Sequence, residues 1–312
     1  MNIVITGGLG HIGSYLTRHF CESISVDRII IVDSLRTQRF VSLFNLEKVP
    51  HISFIEETVK EIKPIEILKY GKIDCLIHLA AITDASGTVG QKDALFENNL
   101  GSTKHIIDIC GDLGIPLIFP SSTSVYGSQS TLVDETCNDL VPQSPYAESK
   151  LFEEQAMQLA ATNGLKGVVL RLGTIHGTSS GMRFHTAVNR FCYQAANGLP
   201  LTVWKTALHQ LRPYLALEDA SRAMAHVINN QMYEGAIYNV VTANHTVSQI
   251  IDAIEVETKK KCKVEFVENQ IMNQLSYEVS SQKFQKTGFR FKGTLQRDIA
   301  DTMNLLSGIS NG

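Results

Sequence analysis

A chain of 312 residues is long enough to bury a sizeable core and to hold one large or two modest domains. With 44% hydrophobic and 19% charged residues it has an ordinary globular composition, and a formal net charge of −3 gives no electrostatic case for nucleic acid or an anionic membrane surface. No apolar run approaches the roughly 20 residues of a membrane span, and the N-terminus runs straight into a strand, so neither a membrane anchor nor a signal peptide is expected. Cys21, Cys75, Cys110, Cys137, Cys192 and Cys262 show no paired spacing, so no metal site and no disulfide framework are indicated. Scattered thiols fit a reducing compartment, and the cytoplasm is the expected location.

The opening stretch carries the first signal. Ile3, Val4 and Ile5 are a β-branched run suited to one buried strand, Thr6 and Gly7 turn the chain, and Gly7, Gly10 and Gly13 follow at G-x-x-G-x-x-G spacing. From Ile12 the apolar residues adopt helical spacing. A strand, a glycine turn and a helix N-terminus form an anion site, because absent side chains admit a pyrophosphate and unpaired helix N–H groups point at it. A glycine triplet alone is weak evidence. The second strand, Arg28-Ile-Ile-Ile-Val-Asp33, strengthens it by ending in an acid 20 residues after Gly13, where a dinucleotide fold places the carboxylate for the adenosine ribose. The segment 34–39 then reads as a loop closing over the adenosine. Arg36 suits a 2′-phosphate but Asp33 repels one, which favours NAD over NADP.

A third strand is expected at 51–55 and a helical stretch over 59–68, interrupted at Pro64. Residues 73–81 form a fourth strand whose end, Ala80-Ala81, lets a flat ligand lie against the backbone. A long helix over 94–114 follows, bearing the polar pair Asn98-Asn99. The fifth strand, at 115–119, delivers Pro120-Ser-Ser-Thr-Ser-Val-Tyr-Gly127, placing hydroxyls where open α/β sheets bind ligands. Pro145 suits a helix start, and on that helix Tyr146 and Lys150, four apart, share one face.

Ser, Tyr and Lys in this order suggest proton transfer coupled to hydride transfer. Oxidising a carbinol needs a base for the hydroxyl proton, and free tyrosine titrates about three units too high, a deficit of roughly 4 kcal/mol. An ammonium about 4 Å away supplies a similar amount at an effective dielectric near 20. Lys150, aided by the positive nicotinamide of an oxidised cofactor, is thus expected to bring Tyr146 into working range, with Ser122 holding the reacting oxygen.

These residues resemble the extended short-chain dehydrogenase/reductases, in particular the NAD-dependent nucleotide-sugar epimerase/dehydratase family. The resemblance is carried by Thr6-Gly-Gly-Leu-Gly-His-Ile-Gly13, Asp33, His78-Leu-Ala-Ala81, Asn98-Asn99, Ser121-Ser-Thr-Ser-Val-Tyr-Gly127, Tyr146-x-x-x-Lys150, Arg171-Leu-Gly-Thr-Ile-His-Gly177 and Leu211-Arg-Pro-Tyr-Leu-Ala-Leu-Glu-Asp219. It implies Ser122, Tyr146 and Lys150 as catalytic residues. At the NAD it implies Gly7, Gly10, His11, Ile12, Gly13, Asp33, Ser34, Leu79, Ala80, Ala81 and Asn99, together with Tyr146 and Lys150. At a nucleotide-diphosphate sugar it implies Thr83, Ser122, Thr123, Thr174, Arg183, Asn189 and Arg212, with Arg212 as the diphosphate clamp. A homodimer through the long helix and the Tyr146 helix is implied as well.

The departures bear on the reaction. The 4,6-dehydratases follow the active-site hydroxyl with an Asp-Glu pair, where this chain has Thr123 and Ser124; sugar-acid decarboxylases carry a glutamate where Ser124 stands. Both reactions are disfavoured. Thr174 replaces an asparagine common near the diphosphate, and Thr58 replaces the acid that usually meets the adenine. The stretch 177–189 is similar to a branch modifying capsule or lipopolysaccharide sugars, several of whose members are simple C4 oxidoreductases. His176 and His185 read as structural.

The later elements are expected as helices at 187–198, 218–229, 247–258 and 294–306 and strands at 201–204, 236–240 and 262–267. The expected architecture is a doubly wound parallel α/β sheet of the Rossmann type over residues 1–172, rejoined by segments near 205–240, with a smaller C-terminal substrate-binding domain mainly in 173–312. The leading function is epimerisation of a nucleotide sugar through a transient 4-keto sugar. A net C4 dehydrogenase or ketoreductase uses the same residues, and a non-catalytic dinucleotide sensor is the minor alternative.

Overall fold

The computed structural model describes residues 1–46, 51–83, 92–267 and 276–308. Its centre is a seven-stranded sheet, all parallel, in the spatial order Glu234–Val240, Gly167–Leu172, Leu117–Ser122, Cys75–His78, Asn2–Thr6, Arg28–Asp33, Ile52–Glu56. The chain therefore winds outward twice from its first strand, which makes the junction of Asn2–Thr6 with Cys75–His78 the switch point where such sheets bind ligands.

Both faces of the sheet are covered, and this explains the uninterrupted apolar runs. Alternate residues serve opposite cores. Ile3 and Ile5 pack with Leu16 and Phe20 on one face, and Val4 packs with Ile106, Ile109 and Cys110 on the other. The first face is covered by helices His11–Ser23 and Leu217–Asn229, the second by Lys92–Leu113 and Pro145–Thr162. The edge strand Glu234–Val240 comes from far along the chain to pair with Gly167–Leu172.

The helix expected over 59–68 is only the single turn Pro64–Leu68, with Pro64 at its first position. Proline has no N–H to donate and its ring fixes the entry angle, so the helix begins there, while Val59 and Ile62 fill the core from the preceding loop. Beyond the main sheet, helices Ala187–Ala196, Val247–Thr258 and Leu295–Leu305 enclose a separate core of Phe191, Cys192, Ile250, Ile254 and Ile299. Strand Leu211–Ala216 links the layers, pairing parallel with Thr174–His176 and antiparallel with Ala243–Thr246. Among the described residues no helix is long and apolar enough to cross a membrane, and no group of three or more His, Cys, Asp or Glu could hold a metal ion.

Candidate active site

A cavity of about 940 Å³ opens over the carboxyl ends of the parallel strands, between the sheet and the smaller helical layer. At one end lies the glycine turn. Gly7 has φ +66°, and a Cβ there would stand 2.7 Å from the backbone of Ala80, so only glycine fits between the first and fourth strands. Gly10 precedes helix His11–Ser23 and offers no side-chain cap, leaving the first N–H groups directed at the cavity. Asp33 closes this end. Its Oδ2 accepts from Leu9 N at 3.1 Å and its Oδ1 from Leu35 N at 3.0 Å, which fixes the carboxylate while leaving lone pairs for ribose hydroxyls. Uncapped helix donors followed by a ribose-spaced acid fit a dinucleotide pyrophosphate and its adenosine.

At the other end stand the hydroxyls and the cation. Ser144 caps its helix by accepting from Ala147 N at 3.1 Å, with Pro145 at the first helical position. This start aims Tyr146 and, one turn on, Lys150 at the end of strand Leu117–Ser122, where the Ser122 hydroxyl is close enough to the Tyr146 phenol to favour its ionised form. Lys150 Nζ donates to Glu153 Oε2 at 3.1 Å and lies 4.6 Å from the centroid of Phe119. Burial pulls the Lys150 ammonium down, but Glu153, Tyr146 and Glu154 outweigh it and hold its pKa above the usual value, so it stays charged. For Tyr146, burial pushes the pKa up, Lys150 and Arg183 pull it down, and Glu153 pushes it up again; the net direction is upward. The acidification expected of Lys150 is therefore not delivered by the side chains alone: burial of the phenol outweighs it, and Glu153 adds to burial.

The model of the NAD dependent epimerase/dehydratase family matches residues 3–240. The chain belongs to that family. Dependence on NAD is part of the family's description, and the glycine turn and Asp33 fit such a group. Among its relatives are a trifunctional UDP-glucose 4,6-dehydratase/3,5-epimerase/reductase of Arabidopsis thaliana, 24% identical over 97% of this chain and 46% of that one, and the uncharacterized UDP-glucose epimerase YtcB of Bacillus subtilis, 26% identical over 85% of each. The chain spans about half the length of the plant relatives it matches. The crystal structure of UDP-glucuronic acid 4-epimerase from Bacillus cereus superposes with a TM-score of 0.89 at 22% identity, covering 98% of this chain and 99% of that one.

In this epimerase/dehydratase fold all the expected site residues line the cavity except Asn99, Thr123 and Asn189. Those three are buried just behind the wall and hold segments that form it. Asn99 accepts from Ile82 N at 2.8 Å and donates to Ile82 O at 3.0 Å. Asn189 donates to Arg183 O at 3.0 Å, and Thr123 donates to Leu172 O at 3.3 Å. Arg212 faces the cavity with Nε and Nη2 buried and without a protein partner among the described residues, its guanidinium 5.4 Å from the Trp204 ring. Two guanidinium donors without a protein acceptor, on a residue of the cavity wall, suit an anion. Arg183 donates to the Thr83 hydroxyl.

Sequence reasoning missed a strap. The backbone at Gly181 sits on the glycine turn: its N–H donates to Ser14 Oγ at 2.9 Å, its carbonyl accepts from Arg39 at 2.9 Å, and a Cβ would stand 2.4 Å from Leu9 O. Beside it, His11 Nδ1 and Ser179 Oγ are 2.7 Å apart, with burial and then Arg183 pushing His11 down to about 3 and keeping it neutral. Glu57 and Tyr277 also line the cavity. Glu57, adjacent to the Thr58 that looked like a lost acid, restores a carboxylate near the adenosine end. Tyr277 arrives from a segment with no motif to announce it.

Proposed function

We propose that the protein is an NAD-dependent epimerase of a nucleotide-diphosphate sugar, acting by transient oxidation at C4. On this reading residues 1–172, with strand Glu234–Val240, carry the NAD, and residues 173–312 mainly carry the sugar nucleotide. The observation that supports it is the placement of acids. The carboxylates on the cavity wall among the described residues are Asp33, Glu57 and Glu61, at or beyond the second and third strands, toward the opposite edge of the sheet from strand Leu117–Ser122, which Tyr146 faces. Elimination needs a carboxylate pair at the sugar, whereas redox epimerisation needs one proton carrier.

When bound, NAD supplies the acceptor and later the donor of the C4 hydrogen. Tyr146 takes the C4 hydroxyl proton and gives it back after the keto sugar presents its other face, so no proton is gained or lost over the cycle. Ser122 fixes the oxygen, Lys150 stabilises the phenolate, and Arg212 holds the diphosphate. The strap favours this reading over a C4 dehydrogenase or ketoreductase, because an epimerase keeps its cofactor and the strap ties the smaller layer to the turn that grips it. The reading includes a homodimer contact through helices Lys92–Leu113 and Pro145–Thr162, supported by Phe152 and Leu159 on the latter, which are 44% and 65% exposed. The test is mass spectrometry of the purified protein for retained NAD, followed by NMR of products from UDP-, GDP-, dTDP- and CDP-sugars without added nicotinamide. A C4 epimer supports the proposal. Turnover only with stoichiometric nicotinamide replaces it with the oxidoreductase.

A further inference from the structure

Lys150 is not alone in its pocket. Glu153, one turn further along the same helix, is fully buried: Lys150 Nζ at 3.1 Å and Thr103 Oγ1 at 2.7 Å donate to Oε2, and Ser149 Oγ, whose single proton is shared with Tyr146 O at 3.0 Å, lies 3.2 Å from Oε1. A buried carboxylate is costly unless so satisfied, and a helix packed on a sheet needs no acid there. Its neighbour Glu154 already answers the other buried cation nearby, taking Arg171 Nη2 at 2.7 Å and Nε at 3.0 Å, with Ser121 donating to it as well. Glu153 is thus the dedicated partner of Lys150.

We propose that Glu153 is a positioning residue of the reaction, fixing where the Lys150 ammonium stands and offsetting part of its charge at the Tyr146 phenol. The inference rests on Tyr146 acting as the base. The charged and titratable groups facing this pair are Lys150, Glu153 and Glu154 on the helix itself, Arg171 and His78 from the sheet, and Arg183 from beyond the strap. Burial and then Lys150 hold His78 down to about 3, so it is neutral and does not compete. Thr103, on helix Lys92–Leu113, spreads the charge of Glu153 by its hydrogen bond. The phenol therefore feels a cation moderated by an anion, and that anion is moderated by a hydroxyl.

This chain makes two shifts of opposite sign testable. In Glu153→Gln the offsetting charge is gone, Lys150 acts on Tyr146 undiminished, and the acid limb of the kcat/KM profile moves to lower pH by roughly one to two units. In Thr103→Val, a near-isosteric change outside the cavity, Glu153 loses a donor, its charge is felt more strongly, and the limb moves to higher pH by about half a unit. A structural ion pair would lower stability in both variants and move neither limb. Unmoved limbs, or two limbs moving the same way, overturn the proposal, and Thr103→Val alone decides it should Glu153→Gln not fold. Tyr146→Phe is run in parallel: if it retains turnover the reading of the base fails, whereas if it is dead and the limbs stay put only the role of Glu153 fails.

Discussion

Replacing Arg212 by leucine removes a guanidinium of the cavity wall whose Nε and Nη2 have no protein acceptor among the described residues. Hydrogen bonds from a charged donor contribute about 1.5–3 kcal/mol each, so two of them toward a diphosphate are worth about 3 kcal/mol at the lower end, roughly a 150-fold weakening. The stacking of the guanidinium on Trp204 adds at most about 1 kcal/mol. Arg212→Lys keeps the charge and loses the fork, and falls about tenfold. Calorimetric titration with UDP and, separately, with uridine reads the effect where it should lie: UDP binding collapses in Arg212→Leu while uridine binding holds. Unchanged UDP affinity in a folded variant refutes the clamp, and equal losses for the two ligands place Arg212 against the base or ribose.

Tyr146→Phe lowers kcat by about 10²–10⁴ with NAD still retained, measured by product NMR and by mass spectrometry of the protein; full turnover would remove the base. Gly181→Ala drives a Cβ to 2.4 Å from Leu9 O, and the resulting strain of about 1–3 kcal/mol lifts the strap, so NAD leaves roughly tenfold faster or more on dialysis. Glu154→Gln leaves Arg171 charged and uncompensated in the core and lowers stability by about 3–5 kcal/mol, read from the urea midpoint. Leu159→Glu places a charge on the exposed face of the Tyr146 helix and shifts the sedimentation coefficient toward that of a monomer if the dimer contact lies there.

The parts legible in the sequence were those written locally. The glycine turn is a strand, a bend and a helix within fourteen residues, and Tyr146 with Lys150 is one turn of helix, so spacing taken with their order in the chain points to them. The same reasoning found the helix starting at Pro145 and the switch-point sheet. It could not find Gly181, because nothing near residue 181 signals that its backbone will rest on Leu9 and Gly10. Nor could it find Glu153, since an acid on an amphipathic helix ordinarily faces water, and only the neighbouring Thr103 and Lys150 show this one turned inward. Asn99 and Asn189 were recognised as significant, but residue type does not say whether an amide touches a ligand or the loop that does. The over-long reading of 59–68 has a local cause, since apolar spacing continued on both sides of a proline that permits a helix only after it.

The choice among reactions comes down to how many protons the sugar end can move. Thr123, at one of the positions where an elimination would need a carboxylic acid, turns into the wall to donate to Leu172 O, and the Ser124 hydroxyl is held 2.8 Å from Ser122 Oγ. Neither hydroxyl ionises near neutrality, and neither is free to swing into the role. Tyr277, the other phenol on the wall, lies 3.4 Å from Thr123 Oγ1 and, unlike Tyr146, has no lysine ammonium beside it. His11 is neutral at the glycine turn, and His185 lies within electrostatic reach of it. Among the described residues of the cavity wall, Tyr146 alone combines an ionisable oxygen with an ammonium and a guanidinium that oppose the upward push of burial. A site built around Tyr146 can take a hydroxyl to a ketone and back, whereas an elimination needs an acid and a base together at the sugar, and this supports the proposed redox epimerisation.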